Sequence, residues 1–146
     1  MNRYEIEKIH VTGYDRFLII RNSDNIRFGV HFVEFEELII GDAPSKLRHV
    51  GDNVYGNLYI DLVCNSYKTE EPIRHTQKEE FSVGVDAVVR VVKIIDEYTL
   101  LAESDIEDQI IRIEFEDKVD YKVNDVIFVA GSLELEMDEL KDKTFS

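Results

Sequence analysis

One cysteine, Cys64, and four histidines, His10, His31, His49 and His75, are the residues of this 146-residue chain suited to nucleophilic or metal chemistry. A catalytic thiol needs a base within hydrogen-bond reach and a third group to orient that base. No histidine stands in a local motif with Cys64, so the thiol reads as an idle or buried group at a strand end. Metal ligation would show as CxxC, HxH or HExxH, and none of these occurs. A Walker-type or GxGxxG glycine loop is also missing, so nucleotide phosphate binding has no support. The reading is therefore of a protein that is not an enzyme and has no cofactor. A pocket lined by His31, His49 and the acids around Glu34 would reverse it.

Two groups of carboxylates remain: Glu34, Glu36 and Glu37, and, near the C-terminus, Glu134, Glu136, Asp138 and Glu139. Glu134 and Glu136 alternate with Leu133 and Leu135, which assigns them to the outer face of one strand. Carboxylates two apart on a strand could bind Ca²⁺ or share a proton. The commoner outcome is a solvated, charged face that discourages edge pairing.

The formal net charge is −14, and it is uneven. Residues 1–64 carry seven Lys/Arg against ten Asp/Glu, residues 65–80 three against four, and residues 81–146 seven against seventeen. Such a field repels bare phosphate and favours a basic partner. The expected function is a non-catalytic acidic protein that binds a basic protein through Glu134, Glu136, Asp138 and Glu139. An antidote or immunity-type inhibitor, or an adaptor, would have these properties.

One cysteine permits no internal disulfide, which suits a reducing compartment. The N-terminus, MNRYEIEKIH, has no apolar core of signal-peptide length, and no uncharged run of about 18 apolar residues occurs. A cytoplasmic protein with no membrane partner is expected.

The chain is organised around Gly51–Leu62 (GDNVYGNLYIDL). Gly51-Asp52-Asn53 is a turn signal. Val54, Gly56, Leu58, Ile60 and Leu62 then alternate with Tyr55, Asn57, Tyr59 and Asp61, the period of a strand with one buried face. Gly56 lies on the apolar face, where a missing side chain marks a bend or a second backbone passing close. A degenerate echo follows in Val123-Asn124-Asp125-Val126, Gly131, Leu133 and Leu135. Glu34-Phe35-Glu36-Glu37 and Glu114-Phe115-Glu116-Asp117 precede the two copies. An internal repeat of two related β modules accounts for the echo; convergent β patterning is the alternative.

Around this stretch, Tyr4–Val11 reads as a strand, Phe17–Arg21 and Ile26–Phe32 as a hairpin turned at Asn22–Asn25, and Val33–Ile40 as a bulged strand. Asp42–His49 can hold one helical turn. Residues 65–80 are polar and contain Pro72, so they read as a linker or long loop. Phe81–Ile95, Leu100–Glu103, Ile111–Phe115 and Val126–Met137 supply further strands, and 138–146 a polar tail.

No useful run has a 3.6-residue apolar period, so the chain reads as all-β. Its domains would be a β-barrel module at 1–64, a linker at 65–80 and a second module at 81–137. One larger β-sandwich formed from both halves is the other arrangement. The five-strand count, the interposed helical turn and the glycine bend resemble an OB-fold barrel. That resemblance implies an alternative function, single-stranded nucleic-acid or small-ligand binding. Its platform would be Tyr14, Arg21, Arg27, Tyr55 and Tyr59. The net charge disfavours nucleic acid, because binding by counterion release needs several clustered cations.

Overall fold

The computed structural model describes residues 2–34, 48–77, 82–107 and 110–137. Among these the protein is all-β, with no helix. The expected strand at 35–40, the helical turn at 42–47 and the polar tail lie outside the described residues. No helix among the described residues is long and apolar enough to cross a membrane.

Alternating side chains build the first three strands, β1 (Asn2–Thr12), β2 (Asp15–Arg21) and β3 (Arg27–Val33). Tyr4, Ile6, Leu18, Ile20, Phe28, Val30 and Phe32 are buried on one face. Each such side chain contributes about 1.5–3 kcal/mol by leaving water. Local chemistry makes the β2–β3 turn: the Asn22 carboxamide oxygen accepts from the N–H groups of Asp24 and Ile26, both at 2.9 Å, and Asn25 takes φ +63°. Capture of its N–H in this turn leaves Ile26 outside the strand and exposed, where alternation alone had turned it inward.

The central stretch forms β4 (Asn53–Lys68), longer than the alternation predicts. At Leu62 the backbone enters the left-handed region, φ +57°, and the register shifts between Ile60 and Val63. This bulge carries the strand past Asp61, so residues 65–68 continue it, and residues 74–76 form the short β5 (Arg74–Thr76). Then come β6 (Gly84–Ile94), β7 (Thr99–Glu103), β8 (Ile110–Phe115) and β9 (Val126–Met137). Val88 and Val89 are both buried, so β6 is apolar on two faces there.

The strands form one mixed sheet ordered β1-β2-β3-β9-β4-β8-β7-β6-β5, with further pairings β1–β4 and β9–β6. Eight of them close a hydrogen-bonded ring, β1-β2-β3-β9-β6-β7-β8-β4 and back to β1. The β4–β8 pairing is parallel.

The chain packs as two compact units. Unit 1 takes Met1–Asn57, Glu79–Val83 and Leu135–Ser146; unit 2 takes Leu58–Lys78 and Gly84–Glu134. Long β4 and β9 therefore each serve both units. The unit 2 core contains Leu58, Ile60, Val63, Val85, Val89, Val91, Leu100, Ile113, Ile127 and Leu133.

The echo seen in the sequence has a matching geometry in each unit. In unit 1, Gly51 N–H donates to the Ile6 carbonyl at 2.8 Å and Ile6 N–H to Asp52 at 2.9 Å. In unit 2, Asn124 N–H donates to Val91 at 2.8 Å and Val91 N–H to Asp125 at 2.9 Å. Gly51 and Asn124 both have positive φ, +93° and +76°. The Asp52 carboxylate accepts from His49 N–H at 3.0 Å, and the Asp125 carboxylate from Lys122 N–H at 2.9 Å. Bulges follow Ile6 in β1 and Val91 in β6.

Candidate functional site

Tyr59, Arg112 and Glu134 come from three strands of unit 2 and gather into one polar cluster. Tyr59 lies between buried Leu58 and Ile60 on β4, and Arg112 between buried Ile111 and Ile113 on β8. Parallel pairing of Ile60 with Ile113 sets these two side chains beside each other. The Arg112 guanidinium carbon stands 4.2 Å from the Tyr59 ring centroid, a cation–π contact. Arg112 Nε also reaches Glu114 Oε2 at 3.4 Å. On β9, Glu134 is 9% exposed and accepts a hydrogen bond from Ser132 Oγ at 3.3 Å.

These surroundings act on the Tyr59 phenol. Burial holds its pKa above the ordinary tyrosine value, and the charges of Glu134, Asp61 and Glu114 push it the same way, against Arg112. Three carboxylates and one guanidinium thus leave the phenol in a negative local field. The arrangement keeps a neutral hydroxyl among anions and can meet a cation.

The acidic set expected on β9 divides. Glu134 is buried, because β9 is covered on both faces over Leu133–Leu135. Glu136 is exposed, and Asp138 and Glu139 lie outside the described residues. The residues of the expected aromatic and basic platform lie on several elements. Tyr14 is exposed beyond the end of β1. Arg21 pairs with Glu5 and Glu7 at 3.1 and 3.3 Å, and Arg27 with Glu7 at 2.7 Å. Tyr55 is half-buried on β4, in register with Arg3.

His31, His49 and Glu34 each meet a charged partner of their own. His31 Nε2 meets Asp15 Oδ1 at 2.8 Å, and His49 Nδ1 meets Asp52 at 3.4 Å. Glu34 stands between two guanidinium groups, Arg16 Nε at 3.4 Å and Arg48 Nε at 3.2 Å. Arg16 itself is 1% exposed and donates to the Gly13 carbonyl at 2.7 Å. Arg16 shares the buried face of β2 with Leu18 and Ile20, a burial the sequence reading did not assign, and nothing in the sequence named Glu34 as its counter-ion.

Two further groupings escaped the sequence reading. Cross-strand register aligns His10, Phe17 and His31 over β1, β2 and β3, with the Phe17 and His31 rings 5.0 Å apart. In unit 2, His75 Nδ1 reaches Asp105 Oδ1 at 2.8 Å. Both depend on pairing between distant strands, which residue spacing does not encode. Cys64 is exposed on β4.

No family model matches the chain, and no curated protein or solved structure matches it either. Its class rests on the strand topology and the polar cluster alone.

Proposed function

We propose that this chain is a non-catalytic binding protein that captures a basic protein partner through its acidic surface, as an antidote or immunity-type inhibitor or an adaptor does. The local pairing of its cations carries the reading. Arg21, Arg27, Lys68, Arg74, Arg90, Arg112 and Lys118 each lie against a carboxylate of the same chain. Their fields are largely cancelled at short range, while the whole chain keeps a formal charge of −14. A partner approaching from solvent meets a negative potential, which speeds encounter with cationic surfaces and repels phosphate backbones. The exposed thiol of Cys64 fits a cytoplasmic setting.

A second reading draws on the circuit β1-β2-β3-β9-β4, in which β4 pairs back to β1. Five strands closed in this way resemble an OB barrel, and the His10–Phe17–His31 row would offer rings to unstacked bases. Cancellation of Arg21 and Arg27 by Glu5 and Glu7 weighs against that use.

Tagged protein serves as bait in lysate at low salt, with and without nuclease. Capture of one stoichiometric basic protein, kept after nuclease and lost at high salt, is the expected result. Reversal of exposed Glu116, Asp117 and Glu136 to Lys should weaken that capture about tenfold, chiefly through slower association. Capture that vanishes with nuclease would replace the protein partner by nucleic acid.

A further inference from the structure

We infer that the chain is a strand-exchanged pair of half-chains joined covalently, in which the N-terminal half, through β4, and the C-terminal half, from β5 onward, are each other's obligate partners. The inference rests on topology and is independent of the proposed function.

Neither unit is assembled from one half alone. Unit 1 needs the end of β9, Leu135–Met137, from the C-terminal half, and unit 2 needs the end of β4, Leu58–Lys68, from the N-terminal half. In unit 1 the circuit β1-β2-β3-β9-β4 closes only when β9 lies between β3 and β4. In unit 2 the circuit β6-β7-β8-β4-β9 closes only when β4 lies between β8 and β9. The exchange is reciprocal, each half donating the far end of its last long strand.

The two glycines stand where the donated ends pass. A Cβ on Gly56 would overlap the Glu136 backbone carbonyl, and one on Gly131 would lie 2.6 Å from the Asp61 carbonyl oxygen. The segments involved, Gly56-Asn-Leu-Tyr-Ile-Asp61 and Gly131-Ser-Leu-Glu-Leu-Glu136, share a pattern of glycine, polar, Leu, variable, aliphatic and acid. Together with the duplicated turns at His49–Asp52 and Lys122–Asp125, this is the pattern of two like chains that trade strands. Removal of either donor would leave β3 or β8 with an unpaired edge and open an apolar core to water.

A protease site inserted in the intact chain between Glu71 and Pro72, in an exposed bend, cuts between the halves. The expected cleaved protein elutes as one species, in 1 M salt as well as at low salt. Its urea midpoint by far-UV circular dichroism rises with protein concentration, whereas that of the uncut chain does not, because only the cut form unfolds by dissociation. Loss of all β signal on dilution is the limiting case of the same result. A concentration-independent midpoint, or fragments that elute apart with native β signal, would overturn the inference.

Discussion

Gly56 and Glu136, eighty positions apart, approach so closely that a side chain on Gly56 would occupy the space of the Glu136 carbonyl. Leu135 Cδ1 would also lie 3.0 Å from the added Cβ, and the Glu136 carbonyl is backbone that cannot shift without moving its strand. Gly56→Ala should therefore cost about 3 kcal/mol by forcing strands apart, and Gly131→Ala should also destabilise. Gly13 provides the contrast. It has φ +60° but an added Cβ would meet nothing within 4 Å, so Gly13→Ala should cost only about 1 kcal/mol. Urea midpoints of the three variants test the ranking.

The Tyr59 phenol should titrate above the ordinary tyrosine value. Its raised folded-state pKa comes first from burial and then from Glu134, Asp61 and Glu114. Glu134→Gln should lower the midpoint and Arg112→Gln should raise it, as read by absorbance at 295 nm. Stability linked to this group is fully present below the ordinary tyrosine value, about 10. It falls as pH rises from there through the folded-state pKa, since the unfolded chain gives up its proton first. Tyr59→Phe should remove that alkaline decline.

Asp125 shows the opposite sign. The hydrogen bond from Lys122 N–H, ahead of the charge of Lys68, holds its pKa below the ordinary aspartate value. Its contribution is present above about pH 4 and is lost as pH falls through the folded-state pKa. Asp125→Asn should flatten this part of the acid limb of a urea-midpoint profile between pH 5 and 2. An unchanged limb would mean that the turn does not depend on the charged form.

The Arg16–Glu34 pair is nearly dry, at 1% and 11% side-chain exposure. Arg16→Met removes a buried guanidinium and its bond to the Gly13 carbonyl, and leaves Glu34 with less positive charge nearby. Breaking a buried pair from one side costs about 3 kcal/mol. The double variant Arg16→Met, Glu34→Gln should recover part of that loss. Additive losses in the cycle would show that the two groups do not act together.

The sequence by itself determined the all-β class, through the two-residue alternation at Leu18, Ile20, Phe28 and Val30 and the turn chemistry of Asn22. It also marked Gly56 as a place of a bend or a close approach and paired it with Gly131 in the echo. These are local signals, written in side-chain period and in residues that tolerate special backbone angles. Tertiary structure alone decided which strands meet. Parallel pairing of β4 with β8 placed Arg112 over Tyr59, and cover on both faces of β9 buried Glu134, which alternation assigns to the outside. Register between β2 and β3 set His31 opposite Phe17. Pairing between distant strands depends on which edges and apolar faces remain when the whole chain closes, and no short stretch of residues contains that information.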